Sequence, residues 1–291
     1  VIQQMIQQWQ EKARTARLCR LLGVSRSGVY AARRRRPAPR ADVLAAAVQT
    51  AFQASGGNYG SRRLSASLKA QGLPAGRHRV RRLMKRHGLK ARWKRKFTHT
   101  TDSRHDLPVA LHQAADPVAA NVLDRRFKPS AADQAWVADI TYIRTERGWL
   151  YLAAVLDLYS RKIVGWAMAP SMPAELVCCA LQMAIVLRQP KPGLIMHTDR
   201  GSQYASQAHR DLLAKHKLVA SMSRKGNCWD NAVMERFFLN LKMERVWQRR
   251  YANPAEASAD ITHYIVAFYN TRRLHSTLGY RSPADYENAA A

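Results

Sequence analysis

No hydrophobic run in this chain is long enough to cross a bilayer, which takes about 20 consecutive apolar residues. The longest stretches are Leu150 to Leu156, which stops at Asp157, and Leu176 to Leu187, which Gln182 interrupts. A membrane-spanning helix is therefore excluded, and Val1-Ile2-Gln3-Gln4 has none of the character of a signal peptide. Cysteine is sparse: Cys19, Cys178, Cys179 and Cys228 form no CxxC pair and no Cys–His spacing of a zinc site. A disulfide framework and a zinc module are set aside, and a soluble chain of a reducing, intracellular compartment is expected. Internal repeats are absent. The scarcest class is acid: 20 Asp+Glu stand against 48 Lys+Arg in 291 residues, a net charge of +28.

The shortage of acid is local. Residues 1–100 hold 24 Lys+Arg and only Glu11 and Asp42 as acids, whereas residues 101–291 hold 24 Lys+Arg and 18 acids. A surplus of that size favours a polyanionic partner, and its position implies a nucleic-acid-gripping front ahead of a different module. With 47% hydrophobic residues the chain has material for a real core.

Residues 13–36 read as a helix-turn-helix. Ala16, Leu18, Leu21 and Leu22 supply an apolar face, Gly23-Val24 breaks the helix, and Ser25 caps a second helix from Arg26 to Arg33. Arg26 and Ser27 sit near its start, where a recognition helix meets base edges. The run Arg33, Arg34, Arg35, Arg36 tracks phosphate, and Pro37-Ala38-Pro39 reads as a stiff linker. A second helical unit follows: Val43 to Phe52, a turn at Gly56-Gly57-Asn58, a helix opening at Tyr59 and running through Leu68, and a third from Arg77 to His87. Val80, Leu83 and Met84 of the third face inward. Arg62, Arg63, Arg79, Arg82, Lys85 and Arg86 are available to DNA phosphates. Asp116-Pro117 opens a short helix to Leu123.

The pattern then changes. Trp136–Ile143, Trp149–Leu156, Lys162–Met168, Leu194–Thr198 and Leu218–Met222 read as strands. Pro173–Leu187, Ala208–His216 and Asn231–Trp247 read as helices, which together give a mixed sheet covered by helices. Asp139 lies in mid-strand, where Asp is disfavoured. Asp199 ends another strand, and Glu235 borders the helical stripe Met234, Phe237, Phe238, Leu241. Each has an ordinary reading alone. Together they suggest a carboxylate site for Mg²⁺ or Mn²⁺, in which two ions clamp the attacking and leaving oxygens of a phosphoryl transfer.

The spacing is telling: 35 residues separate Asp199 from Glu235. This resembles the DDE signature of retroviral integrases and related transposases, with their RNase H-like fold. The segments Trp136 to Tyr142, His197 to Tyr204, Asn227 to Phe238 and Tyr269 to Tyr280 are similar to those of bacterial transposases of insertion-sequence family three, second reading frame. The resemblance covers nearly the whole chain, including Leu18 to Tyr30 and Tyr59 to Leu64. It implies an α/β fold: an RNase H-like mixed five-stranded sheet with flanking helices, preceded by all-α helix-turn-helix modules. The first and fourth strands would be neighbours. Asp139, Asp199 and Glu235 match the catalytic, metal-holding triad. Lys242, seven residues on, matches a DNA-binding position, and Asn231 stands one turn before Glu235 as a support to the triad.

The resemblance also implies partners and place. These are the terminal repeats of the element and target DNA, a homo-oligomer of at least two chains, an upstream reading-frame product as fusion or partner, and a bacterial cytoplasmic, nucleoid-associated location. The expected organisation is a helix-turn-helix segment over 1–36, a second helical domain over 37–96, a linker over 97–130, the catalytic core over 131–248 and a helical extension over 249–291. Asp157 is the rival ligand, favoured instead for a turn or for pairing with Arg161. Asp230 is expected to cap the Glu235 helix, and Ser282-Pro283 to cap another. Trp149, Trp166 and Trp229 are expected in the core, and His197 is read as turned to the strand face opposite Asp199.

Overall fold

The structure is a computed structural model that describes residues 15–34, 39–92, 119–224 and 228–289, without the side chains of 32–34, 39–42 and 228–229. The chain divides into two compact units, Val1–Lys90 and Ala91–Ala291. Among the described residues no helix is long and apolar enough to cross a membrane.

In the first unit, α1 (Thr15–Leu21) and α2 (Arg26–Arg34) close over Leu18, Cys19 and Val29, with Leu22 and Val24 packed beside them. Gly23 makes the turn at φ +63°, a left-handed conformation that favours glycine. The Ser25 hydroxyl accepts the Gly28 N–H at 3.1 Å, which caps α2. Leu21 is 75% exposed and leaves the expected apolar face. Leu18, Cys19 and Leu22 centre that face, and helical geometry turns Leu21 about 100° away from it. Arg35 to Ala38 fall outside the described residues, as do the side chains of Arg33 and Arg34. Pro39 belongs to α3 (Pro39–Ala54) rather than to a linker, since proline is compatible with a helix's first turn.

α4 (Ser61–Ala70) and α5 (Arg77–Arg86) pack with α3 around Val48, Leu64, Leu68, Val80 and Met84, all buried. Gly72 at φ +75° lets the Leu73 N–H return to Leu68 O at 2.9 Å, which ends α4. The opposite side of α5 exposes Arg79, Arg82, Lys85 and Arg86.

The second unit is built on one sheet. Its strands are β1 (Ala135–Thr145), β2 (Gly148–Asp157), β3 (Ile163–Ala169), β4 (Ile195–Thr198) and β5 (Val219–Met222), in the order β3-β2-β1-β4-β5. β1–β2 and β2–β3 are antiparallel, β1–β4 and β4–β5 parallel. On one face α6 (Ala174–Arg188), the short α7 (Ser202–Ala205) and α8 (Gln207–Lys215) cover Trp136, Ala138, Val155 and Met196. On the other, α9 (Ala232–Glu244) and α10 (Pro254–His263) cover Val137, Ile143, Leu152 and Leu156. β2 is buried from Leu152 to Asp157, as its nearly unbroken apolar run requires of a strand covered on both sides.

The tail motif holds these layers together. Asn270 accepts the Ile163 N–H and donates to Ile163 O, each at 2.9 Å, so it completes the open edge of β3. Arg273 and Glu244 form a buried ion pair at 2.7 Å, and the Tyr264 hydroxyl donates to the same carboxylate at 2.7 Å. Ser282 caps α11 (Pro283–Asn288) by accepting the Asp285 N–H at 3.1 Å.

Three further expectations fail in the second unit. Ala119 to Leu123 is not helical, because Ala120 O and the Leu123 N–H bond to Met222 and Ser221, so the segment lies along β5. The expected helix Asn231–Trp247 is broken at Arg245, whose backbone (φ −132°, ψ −65°) leaves helical geometry while its guanidinium grips Asp260 at 2.6–3.0 Å. Asp230 caps nothing; its buried carboxylate receives Arg125, Arg224 and Asn121 and lies well below the usual range.

Gly165 on β3 is where sheet and α6 touch backbone to backbone. A Cβ there would lie 2.2 Å from Ala180 O and 2.8 Å from Ala184 N. Gly165→Val is expected to destabilise the chain by about 3 kcal/mol or more, read as a shift in the urea midpoint. Glu244→Gln leaves Arg273 charged, buried and poorly paired, and is expected to cost about 3–5 kcal/mol in the same measurement.

Candidate active site

β1 and β4 bring the first two carboxylates together. Val137 pairs with His197 in the parallel register, so Asp139 in the middle of β1 and Asp199 just beyond β4, each two residues on, come opposite one another. Asp199 lies just past the end of β4 and accepts the Gly201 N–H at 3.0 Å. A side chain at Gly201 would place its Cβ 3.0 Å from the Asp199 carboxylate, which explains a glycine there. Asp139 accepts the N–H of its neighbour Ile140 at 2.8 Å.

The third acid comes from α9. Asn231, just ahead of the helix, donates its amide to Ala138 O at 3.2 Å and so pins this end of α9 to β1 beside Asp139. Its Oδ1 is buried with no hydrogen-bond partner among the described residues. Glu235 and Lys242 follow at one and three turns from Asn231, Glu235 exposed and Lys242 half-buried. The Lys242 ammonium lies 4.7 Å from the centre of the Tyr142 ring.

Electrostatics tie these groups together. Burial first, and then the like charge of Asp199, push the Asp139 carboxyl up to about 7, with Glu235 adding to the effect. The Ile140 N–H and Lys242 oppose it. Burial also raises Asp199, against the Gly201 bond, and raises Glu235. Lys242 is lowered by burial and raised by Asp139. Among the described residues none of the three acids is ion-paired within 4.0 Å. Nor do any three His, Cys, Asp or Glu side chains among them converge tightly enough to hold a metal ion as they stand. The donor set is nonetheless one for a hard divalent cation: anionic oxygens without a counter-charge, beside an unpartnered amide oxygen.

Other residues fall elsewhere. Asp157 is fully buried and accepts the Asp133 N–H, the Ser160 N–H and the Ser160 hydroxyl at 2.8–2.9 Å, a turn with no Arg161 side-chain bond. His197 was read as facing away from Asp199, yet residues two apart share a strand face. What separates them is that His197 sits inside β4, buried and bonded to Ser221 and Ser223 at 2.9 and 3.2 Å, and held neutral with a pKa lowered to about 4. Trp149 is 43% exposed and is not a core residue; Trp166 is half-buried against the core, and the Trp229 side chain is not described. In the first unit Arg26, Ser27 and Arg62 are exposed and Arg63 half-buried. Tyr204 escaped the sequence reading. It is buried, its hydroxyl has no partner among the described residues, and both Asp139 and Asp199 raise its pKa further after burial. The only signal was its place five residues after Asp199.

Residues 129–228 and 216–283 match integrase core domain families, and residues 39–97 an HTH-like domain family. The chain is 43% identical over 272 residues to the insertion element IS600 uncharacterized 31 kDa protein of Shigella sonnei, covering 92% of this chain and 97% of the relative. It is 41% identical over 276 residues to transposase InsF for insertion sequence IS3A of Escherichia coli K12, covering 93% of each. The chain belongs to the IS3 family of transposases. As an IS3-family chain it carries an integrase core, and its class is the DDE-type polynucleotidyl transferases. A chain of the simian T-cell lymphotropic virus intasome in complex with PP2A regulatory subunit B56 gamma is 16% identical, with a TM-score of 0.47 over 77% of this chain and 70% of that one.

His209, stacked edge-on to Tyr204 at 5.4 Å, gives this transposase fold a pH dependence. Burial lowers its pKa to about 4, against the Tyr204 carbonyl that bonds its Nδ1 at 3.1 Å. The unfolded chain therefore binds the proton first as pH falls, so this contribution to stability is complete above about pH 6.5 and is lost towards pH 4. His209→Leu removes that loss. The variant's unfolding free energy relative to wild type should improve by up to about 3 kcal/mol between pH 7 and pH 4, measured by urea titration.

Proposed function

We propose that this chain binds the ends of its insertion element, cleaves there to free a 3′-hydroxyl, and joins that hydroxyl to another DNA phosphodiester. The observation that carries the reading is the β1–β4 register, which sets Asp139 against Asp199 with no counter-charge between them. Two like charges forced together in a half-buried site are a place for a cation. Asp139, Asp199 and Glu235 are the residues that would hold Mg²⁺ or Mn²⁺, two ions in the full site. Such ions activate the attacking oxygen and stabilise the leaving one.

The chain's own groups set the geometry. Asn231 fixes the start of α9 on β1, which holds Glu235 near the two aspartates. Lys242 offers its charge to a phosphate of the strand being cut. In the first step water attacks the phosphodiester; the P–O bond to the 3′-oxygen breaks and leaves the 3′-hydroxyl. In the second, that hydroxyl attacks a target phosphodiester, one P–O bond replaces another, and no ATP is consumed.

The basic helices supply the grip. Arg26 and Ser27 would meet bases, and Arg62, Arg63, Arg79, Arg82, Lys85, Arg86 and the run Arg33 to Arg36 would hold phosphates. On this reading residues 1–36 and 37–96 are DNA-binding modules, 97–130 a linker, 131–248 the catalytic core and 249–291 its helical extension. Handling two ends together requires at least a dimer. The same reading includes an upstream reading-frame product as fusion or partner and action at the bacterial nucleoid.

The test is cleavage and joining of labelled element-end DNA. Both products should form with Mg²⁺ or Mn²⁺ and disappear in chelator. Asp139→Asn, Asp199→Asn and Glu235→Gln should each abolish both while leaving DNA binding intact. Lys242→Ala should weaken binding and lower the slope of log affinity against log salt by about 1. Turnover by the aspartate variants would overturn the site; cleavage with no joined product would make the chain a nuclease.

A further inference from the structure

An aromatic ledge stands beside the candidate active site and has no role in the chemistry above. Tyr142 and Trp149 are 49% and 43% exposed. Their rings meet edge to face with centroids 5.4 Å apart. They sit on neighbouring strands: Tyr142 pairs with Tyr151 and Arg144 with Trp149 in the antiparallel register, so the two rings are diagonal neighbours on one sheet face. The face is the one that α6 covers further along, where Ala138 and Val155 are buried; at Tyr142 and Trp149 the cover has ended.

Each ring carries a cation. The Arg144 guanidinium lies 5.8 Å from the Trp149 ring, and the Lys242 ammonium 4.7 Å from the Tyr142 ring. Lys242 also feels the charge of Asp139, so the ledge adjoins the carboxylates. Tyr142 is turned to the sheet face opposite Asp139, and Lys242 of α9 lies near both. Tyr142 is three residues beyond Asp139 on an extended strand, about 10 Å along it. That is the reach of two to three stacked nucleotides. On α9, Leu239 is four residues after Glu235 and three before Lys242, on the same helix face, and is 37% exposed. A water-facing surface of two aromatic rings flanked by cations has the chemistry that receives an unstacked base while its phosphates meet the charges. Glu146, in the turn between the strands, is the one acid of residues 140–156, against Arg144 and Arg147.

We infer that Tyr142 and Trp149 form a base-stacking ledge, flanked by Arg144 and Lys242, which holds an unpaired nucleotide next to the phosphodiester being cut. The inference rests on the DNA-joining reading and names how one strand is held out of the duplex there.

The test uses the full chain in chelator, so that binding is read apart from chemistry. Binding is compared on element-end DNA that is fully paired and on the same DNA with its last three base pairs mismatched. Wild type should prefer the mismatched end. Trp149→Ala and Tyr142→Leu should reduce that preference about tenfold, and Trp149→Phe should restore it. Equal binding of both DNAs by Trp149→Ala and wild type would overturn the ledge. So would a change in the oligomeric state of Trp149→Ala with its DNA preference intact, which would make the rings a contact between chains. Wild-type protein with 5-iodouracil at the mismatched positions gives a measurement free of folding effects. Cross-linking to the peptide holding Tyr142 and Trp149 supports the ledge, and cross-linking only elsewhere sinks it. Failure of cleavage and joining in metal, with cross-linking intact, would remove the transposition reading and leave the ledge.

Discussion

Two carboxylates set side by side are the constraint around which the second unit is organised. Parallel pairing of β1 with β4 has one consequence that no local propensity would select: Asp139 and Asp199 end up neighbours, and burial, then the charge of Asp199, push the Asp139 carboxyl to about 7. Such a pair costs stability in the absence of a cation. It persists because the strands bearing it are held from both faces. Trp136, Ala138 and Met196 anchor them under α6 and α8, and Val137 and Ile143 anchor them under α9 and α10. The unfavourable charge occupies the point where β4 ends and the hydrophobic layers give out.

The charged contacts away from that point are satisfied ones. Asp230 gathers Arg125 and Arg224, Asp260 gathers Arg245, Arg249 and Tyr251, and Glu244 is closed by Arg273 and Tyr264. Asp230 lies just ahead of α9, Glu244 is its last residue, and Asp260 lies on α10. They fix its two ends, from Asp230 just before it to Arg245 just after it, and Asn231 adds the bond to β1. Position along α9 matters because Glu235 stands one turn after Asn231 and Lys242 just under one turn before Arg245, on a helix whose other side is locked by Met234, Phe237, Phe238 and Leu241. The segment from Tyr269 to Tyr280 thereby takes on a structural meaning: Asn270 completes the sheet edge at Ile163 and Arg273 holds the end of α9 through Glu244.

What was legible in the sequence follows from which forces are local. Strand alternation and unbroken apolar runs placed all five strands to within a few residues, because burial on a sheet imposes its period directly on the residues. The mid-strand Asp139 was legible because it violates that period. The neighbouring of β1 and β4 came only from the family resemblance, since the order of strands in a sheet is written in no local pattern. Contacts between distant segments were invisible. Asp230 reads as a cap until Arg125, 105 residues earlier, is seen to hold it. The break at Arg245 depends on Asp260, and the loss of helix at Ala119 to Leu123 depends on β5. Trp149 was assigned to the core by its type alone, but an aromatic residue is buried only if something covers it, and α6 stops short.

The charge of +28 takes its meaning from this division. In the first unit the arginines are surplus: α5 buries Val80 and Met84 and turns Arg79, Arg82, Lys85 and Arg86 to solvent, with almost no acid nearby to neutralise them. In the second unit Arg125, Arg188, Arg224, Arg245, Arg249 and Arg273 are paired with acids, and Arg144 and Lys242 lie by the Trp149 and Tyr142 rings. The surplus of positive charge is therefore greatest over the first unit, and in the second Lys242 borders the carboxylate of Asp139. Lys242 stands at that boundary, sensing Asp139 on one side and covering the Tyr142 ring on the other. Lys242 thereby sets one cation beside acids that have no ion pair of their own among the described residues.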